Sequence, residues 1–211
     1  MRKIVTEAAR VEWEVLASDF DACLHELRLI QQLKPEFNIA GAYTFLYPFI
    51  GVREQEQISF CFTTSPELFP EYQFYGAFRS REITGEAFFS LMRLLEFIGH
   101  KMKRDARETI PDYSYLFTFR RLPANWVTSW DKFFRGDSAE VLEDLILKLL
   151  LNAGARAKAA DIQENMDSLK RFWRYEAKPL GKAILATGYL LYPVPQSERD
   201  PLFLSYRHEP E

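Results

Sequence analysis

The segment ASDFDACLHELRLIQQLKPEFNIA, residues 17–40, predicts a short helix that carries an acid on its apolar side. Ser18 is placed to cap this helix, with Asp21 three residues on as its partner. Pro35 marks the end, because the residue before a proline is forced out of the helical region. On a helical wheel at 100° per residue, Glu26 falls at the centre of the apolar stripe. Its neighbours within about 60° on either side are Ala22, Cys23, Leu29, Ile30 and Leu33.

An acid in such a stripe needs an explanation. A carboxylate surrounded by apolar side chains loses hydration and requires a cation, a hydrogen-bond donor or a proton. Glu26 then has two interpretations. In the first, Glu26 lies at the edge of the core and its carboxylate reaches water or an arginine. In the second, Glu26 belongs to a functional site.

The wider pattern around Glu26 carries a family resemblance. The order Glu26-x-x-Leu29-Ile30-x-x-x-Lys34-Pro35-x-Phe37-Asn38 resembles the closing motif of the GIY-YIG nuclease domain in the UvrC-like endonuclease family. In that family the last acid of this motif ligates the catalytic divalent metal, and Glu26 is the residue that matches it. The resemblance therefore implies Glu26 as a catalytic and metal-binding residue, with Mg²⁺ or Mn²⁺ as the ion. The match departs at Glu36 and Phe37, where the family usually has Arg and Tyr.

The residues before the helix extend the resemblance. The segment Ala9–Val15 alternates Val11, Trp13 and Val15 with polar residues, which predicts a half-buried strand. It is similar to the last strand of the GIY-YIG domain. The family's G-x-Y and Y-x-G strands and its catalytic Arg have no match in this chain. We therefore expect a chain that begins part-way through its nuclease domain, or a start assigned at an internal Met.

Two motifs in the middle of the chain also resemble the family. Tyr47-Pro48-Phe49-Ile50 resembles the Y-P-F-I that follows the nuclease domain. The segment FYGAFRS, residues 74–80, resembles the family's Y-F-G-P-F-P-S, with Ala77 in place of the usual Pro. The same order of strand, glycine turn and helix is expected here.

The periodicity of this middle region predicts its elements. Alternation predicts strands over Gln57–Thr64 and Tyr113–Arg121, and three-four spacing predicts a helix over Thr84–His100. The polar segment Lys101–Asp112 is predicted to be an exposed loop. Its basic residues either face solvent or contact phosphate, and the sequence leaves both open. They are Lys101, Lys103, Arg104 and Arg107.

From Pro123 the pattern becomes helical. Asp137–Glu140 has capping-box spacing, and Gly154 is predicted to end the first helix in the left-handed conformation. The next helix carries an apolar seam made of Ala159, Ile162, Met166, Leu169 and Trp173. The resulting hairpin resembles the UVR motif, through which the family docks onto UvrB. An ordinary packed hairpin within one domain is the alternative, and the tail after Gly188 is predicted to be extended.

Composition and charge limit the class of protein that this chain can be. The chain has 211 residues, 47% of them hydrophobic, which suits one or two compact domains. Its formal charge of −3 means that a nucleic-acid surface would have to be a local patch. There is no signal-peptide pattern and no run of about 18 apolar residues, so neither secretion nor a membrane span is expected. Two cysteines suit a reducing cytosol, and a cytoplasmic location is predicted.

Other catalytic motifs are missing from the sequence. His25-Glu26 opens like the zinc-protease H-E-x-x-H, but Leu29 stands where the second histidine belongs. The three histidines are too far apart in sequence to suggest a metal cluster. No glycine-rich phosphate loop, C-x-x-C pair or G-x-S-x-G motif is present.

Together these patterns predict an α+β fold in four parts. Residues 1–40 form a truncated GIY-YIG-like strand-helix unit, residues 41–122 a small mixed α/β middle region, residues 123–187 the helical hairpin and residues 188–211 the extended tail. The resemblance implies metal-dependent phosphodiester incision in nucleotide excision repair, with DNA and a UvrB-like protein as partners. The chain by itself is expected to cut DNA poorly. The alternative is a non-catalytic module that binds DNA or a repair partner.

Overall fold

The centre of the protein is a five-stranded antiparallel sheet with strand order β3-β1-β2-β5-β4. The computed structural model describes residues 8–36, 42–103, 110–123 and 126–208. The strands are β1 (Phe49–Glu54), β2 (Ile58–Thr63), β3 (Gln73–Tyr75), β4 (His100–Lys101) and β5 (Tyr115–Arg120). With the helices that follow, this sheet confirms the α+β fold class.

The helices surround the sheet and form most of the second half of the chain. They are α1 (Asp19–Leu33), α2 (Arg81–Leu95), α3 (Trp126–Arg135), α4 (Val141–Leu151), α5 (Ala153–Ala157), α6 (Ala159–Phe172), α7 (Lys178–Thr187) and α8 (Gln196–Arg207). A π-helical segment (Trp173–Ala177) joins α6 to α7, and short 3-10 helices occupy Thr44–Leu46 and Pro66–Leu68. None of the helices in the described residues is long and apolar enough to cross a membrane.

One apolar core joins the sheet to the helices. Alternation along β2 sends Phe60 and Phe62 to the face covered by α2, while Cys61 packs on the other face. Phe172 of α6 lies 4.8 Å from the ring of Phe78 and 5.9 Å from that of Phe133. Residues from the sheet, α2, α3, α4, α6, α7 and α8 therefore share this core. The four-part division of the chain stays a prediction.

Several local predictions are confirmed. The Ser18 hydroxyl accepts a hydrogen bond from the Asp21 backbone N–H and donates one to the Asp21 carboxylate. Helix α1 ends at Leu33, just before Pro35. The predicted strands appear as β2 and β5, and the predicted helix over Thr84–His100 appears as α2, shifted towards the N-terminus.

Two predicted extended segments are wrong. Residues 9–15 form no strand, and Val11, Trp13 and Val15 are 79%, 85% and 87% exposed. The apolar and polar residues alternate as predicted, but no strand in the described part of the chain covers the apolar side. The tail from Gly188 is not extended throughout, because Gln196–Arg207 forms α8 and buries Leu202.

The connection between the two helices of the predicted hairpin differs from the prediction. Gly154 lies inside the short helix α5, and the helix end falls at Asn152, whose side chain accepts a hydrogen bond from Ala155 N–H. Asp137 and Glu140 form no capping box; instead the Ser138 hydroxyl accepts from the Glu140 N–H. Helix α6 packs along α2 and buries Met166, Leu169 and Phe172.

Some predictions lie outside the described residues. Phe37 and Asn38, which close the family-like motif, fall in this category, as do Arg104 and Arg107 of the predicted basic loop. Within that loop, Lys101 belongs to β4 and is exposed.

Candidate functional site at the cleft between α1 and α8

Helix α1 meets the rest of the protein through a different face from the one predicted. It packs on α8 with Phe20, Cys23, Leu27 and Ile30 half-buried. This face is centred on Leu27, one residue from Glu26, and so about 100° around the helix. The prediction that Glu26 lies within a buried stripe is wrong: Glu26 is exposed, and Leu29 and Leu33 are 39% and 69% exposed.

Glu26 nevertheless lines a concave surface. A cleft of about 510 Å³ lies between α1, the turn after β3, the π-helical segment and α8. Its charged lining residues are Glu26, Arg79, Glu176, Arg199, Asp200 and Arg207. Three acids and three arginines thus face one opening.

Glu176 is the buried acid that connects the π-helical segment to the start of α2 at the cleft. Its carboxylate accepts hydrogen bonds from the backbone N–H groups of Arg79 at 2.7 Å and Ser80 at 3.1 Å, where α2 begins. Gly76, with a φ of +123°, turns the chain after β3 so that these N–H groups reach the carboxylate. The start of a helix also favours negative charge. Burial raises the pKa of Glu176, while Arg199 and the two N–H groups act in the opposite direction.

A second buried network lies beside Glu176. The hydroxyl of Tyr47 donates a hydrogen bond to the Asp200 carboxylate at 2.7 Å, and Arg199 Nη1 pairs with Asp200 at 3.2 Å. Burial lowers the pKa of Arg199, and Glu176 and Asp200 offset this effect. Burial and the bond to Asp200 raise the pKa of Tyr47. Arg199 is 4% exposed, and its Nε–H has no hydrogen-bond partner among the described residues.

These contacts divide the charged groups into two classes. Glu176 and Asp200 are buried and already bonded to partners. Glu26 is exposed and makes no hydrogen bond or ion pair within the described part of the chain. A single exposed carboxylate fits Mg²⁺ or Mn²⁺, because such ions bind through one or two carboxylates together with water and a substrate phosphate. The arginines are suited to an anion.

Two family-like motifs meet beside this cleft, where Arg79 lines it and Tyr47 bonds to the lining residue Asp200. Tyr47 comes from the Y-P-F-I segment, and Arg79 and Ser80 come from the segment FYGAFRS. The backbone of Phe78 donates to the carbonyl of Pro48 at 2.9 Å, which holds the two segments together. Over 93 residues the chain is similar to UvrABC system protein C.

That relative is from Kocuria rhizophila, and the two sequences are 29% identical over the matched part. The match covers 44% of this chain and 14% of UvrABC system protein C. It supports a UvrC-like relationship for the matched part of the chain. No known protein-family profile matches the chain, and neither does any solved structure.

Sequence reasoning missed most of the residues in the cleft. Glu176, Arg199 and Asp200 lie in helical segments whose periodicity gives no sign of a site. Tyr47 and Arg79 lie within the family-like motifs, which is the one signal that pointed to this place. The role of Glu26 in binding a metal stays a prediction.

Proposed function

We propose that this chain is a UvrC-related DNA-repair protein that holds the DNA backbone in the cleft beside Glu26. The observation that carries the proposal is the arrangement of the cleft itself. An exposed acid and two exposed arginines line one cleft, beside the contact between the two family-like motifs. The similarity to UvrABC system protein C supports DNA as the polyanion.

The arginines supply the contacts for phosphate. Arg79 and Arg207 are exposed at the rim of the cleft, whereas Arg199 is buried beneath them and pairs with Asp200. Arginine side chains are common donors to phosphate oxygens, and such contacts position a nucleic acid without reading its sequence. A local patch of this kind agrees with a chain whose formal charge is −3.

Glu26 would hold a divalent ion at the rim of the same cleft. When bound, Mg²⁺ or Mn²⁺ stabilises charge on a scissile phosphate and provides an activated water. Glu26 is the residue of this chain that matches a catalytic residue of the GIY-YIG family. Incision by the 211-residue chain is therefore expected to be weak, and binding is the more sensitive measurement.

Magnesium is expected to strengthen duplex binding through Glu26. An ion held between this carboxylate and a phosphate couples the two binding events, and typical couplings are about 5-fold or more. At constant ionic strength, fluorescence anisotropy of a labelled duplex should show this gain for the wild type and not for Glu26→Ala. The Glu86→Ala variant, which removes an exposed acid outside the cleft, should keep the gain.

Two results would contradict parts of this proposal. An equal effect of magnesium on the wild type and Glu26→Ala would remove Glu26 from metal binding. Efficient metal-dependent nicking by the wild type, lost in Glu26→Ala, would support the role of Glu26 and overturn the expectation of weak cutting.

A partner-binding function is the second candidate, and exposed leucines on α4 favour it. Leu147, Leu150 and Leu151 are 61%, 55% and 85% exposed. Leu150 lines a groove of about 220 Å³ that lies between α4 and α6. Clustered apolar residues on a surface commonly mark a protein interface. We propose that this face of the hairpin binds a UvrB-like helical hairpin.

The double variant Leu147→Asp/Leu150→Asp is expected to weaken binding of a purified UvrB-like protein at least about 10-fold, because it places charge in an apolar contact. Isothermal titration calorimetry gives the affinity. The matched control is Leu185→Asp, at a leucine that is 84% exposed on α7. Equal losses in both variants would show that the α4 face is not the interface.

A further inference from the structure

A separate cluster of potential metal ligands joins the two ends of the described chain. Asp19 and Cys23 lie one turn apart on α1, and His208 follows the last turn of α8. One donor atom from each residue lies within 4.8 Å of the other two. The spacing of four residues on α1 places the carboxylate and the thiol on the same side of that helix.

The orientation of His208 gives a second and independent indication. Its Nδ1 lies 2.8 Å from the carbonyl oxygen of Leu204, which accepts only from a protonated nitrogen. In the neutral ring Nε2 then carries a lone pair, yet it lies 3.0 Å from the Asp19 carboxylate oxygen. Two acceptors at this distance require a cation or a proton between them.

The surroundings of the ring fit a metal ligand. Metal-binding histidines commonly donate the other ring N–H to a backbone carbonyl, which fixes the ring orientation. The ring of Phe20 packs 5.5 Å from the imidazole and limits its rotation further. The His208 side chain is 27% exposed and the Asp19 side chain is 87% exposed, so an ion reaches both from solvent.

We propose that Asp19, Cys23 and His208 form a zinc site that fastens α1 to the end of α8. Nitrogen, sulfur and carboxylate oxygen are the ligands that Zn²⁺ takes, and water supplies the fourth position of the tetrahedron. Binding releases the proton of the Cys23 thiol to solvent, and the thiolate and the carboxylate together balance the charge of the ion. Mg²⁺ does not compete, because it prefers oxygen ligands.

Cys23 also lines the proposed DNA cleft, but the zinc site does not depend on DNA binding there. Helix α1 has no fully buried residue and contacts the rest of the protein mainly through α8. A zinc ion at its first turn would hold the helix that carries Glu26 in place over the cleft. The contribution is to the position of α1 and does not require that Glu26 binds a metal or that DNA is bound.

The test is a zinc titration of the full chain in excess Mg²⁺, followed by competition with a chromophoric chelator. One equivalent should bind, and Co²⁺ in its place should show a thiolate-to-metal charge-transfer band. Cys23→Ser and His208→Gln should each lower the affinity by more than about 10-fold, because even the loss of a residue that only supports a metal ligand typically costs about that much. The control His100→Gln changes an exposed histidine on β4 and should bind zinc like the wild type.

Alkylation gives a second readout that does not depend on the variants. Burial raises the pKa of the Cys61 thiol to about 12, and its side chain is fully buried, so Cys61 should not react in the native protein. Zinc should protect Cys23 from alkylation, as measured by peptide mass spectrometry. Zinc binding that persists unchanged in both ligand variants, or Cys23 that reacts equally fast with and without zinc, would overturn the proposal and leave a protonated His208 paired with Asp19.

Discussion

Replacing Glu176 by alanine is expected to lower the free energy of unfolding by about 2–6 kcal/mol, because each of two buried backbone N–H groups left without a hydrogen-bond acceptor costs about 1–3 kcal/mol. Glu176 is 4% exposed and accepts two backbone hydrogen bonds at the start of α2. Its loss leaves those N–H groups without an acceptor and removes one of the two acids that offset the buried charge of Arg199. Urea unfolding followed by circular dichroism measures the change.

The matched control for this prediction is Glu86→Ala. Glu86 pairs with Arg171 at 3.0 Å, but both side chains are nearly half exposed, at 46% and 47%. Exposed pairs of this kind contribute about 1 kcal/mol or less. Both variants remove one carboxylate from the helical part of the fold. Equal losses of stability in the two variants would show that the buried hydrogen bonds of Glu176 do not stabilise the fold.

The features predicted correctly from the sequence depend on neighbours along the chain. The Ser18 cap needs Asp21 three residues away, and the end of α1 follows from Pro35. Strand β2 follows from alternation, with Phe60 and Phe62 on the covered face. In each case the deciding interaction lies within a few residues, so the local pattern contains the information.

The errors arose where distant partners decide the outcome. The alternating segment around Trp13 finds no strand to pair with among the described residues. The orientation of α1 is set by its packing on α8, more than 160 residues later in the chain. As a result, the covered face of α1 is centred on Leu27 and not, as the sequence predicts, on Glu26. A helical wheel of α1 places apolar residues on both the Glu26 side and the Leu27 side. The sequence of α1 alone therefore does not show which face is covered.

The site itself needed the fold for the same reason. Tyr47 meets Asp200 across 153 positions, and Arg79 meets Glu176 across 97. No spacing rule connects residues at such distances. The family-like motifs pointed to Tyr47 and Arg79, whereas their partners came from helices that sequence patterns describe only as amphipathic.

The DNA-binding proposal makes a quantitative prediction for the rim of the cleft. The double variant Arg79→Ala/Arg207→Ala should weaken binding of a short duplex by roughly 100-fold or more, since hydrogen bonds to charged groups are worth about 1.5–3 kcal/mol each and two are lost. Two lost phosphate contacts should also make the dependence of log K on log salt shallower by about 2. Both arginines are exposed, so the substitutions should leave the fold intact.

A salt titration of duplex affinity by fluorescence anisotropy tests the central claim most directly, with Arg120→Ala/Arg171→Ala as the control that removes the same charge from exposed positions outside the cleft. We expect the cleft variant to lose affinity and salt dependence, and the control to stay close to the wild type. Equal behaviour of the two double variants would contradict the claim that DNA binds at the cleft beside Glu26.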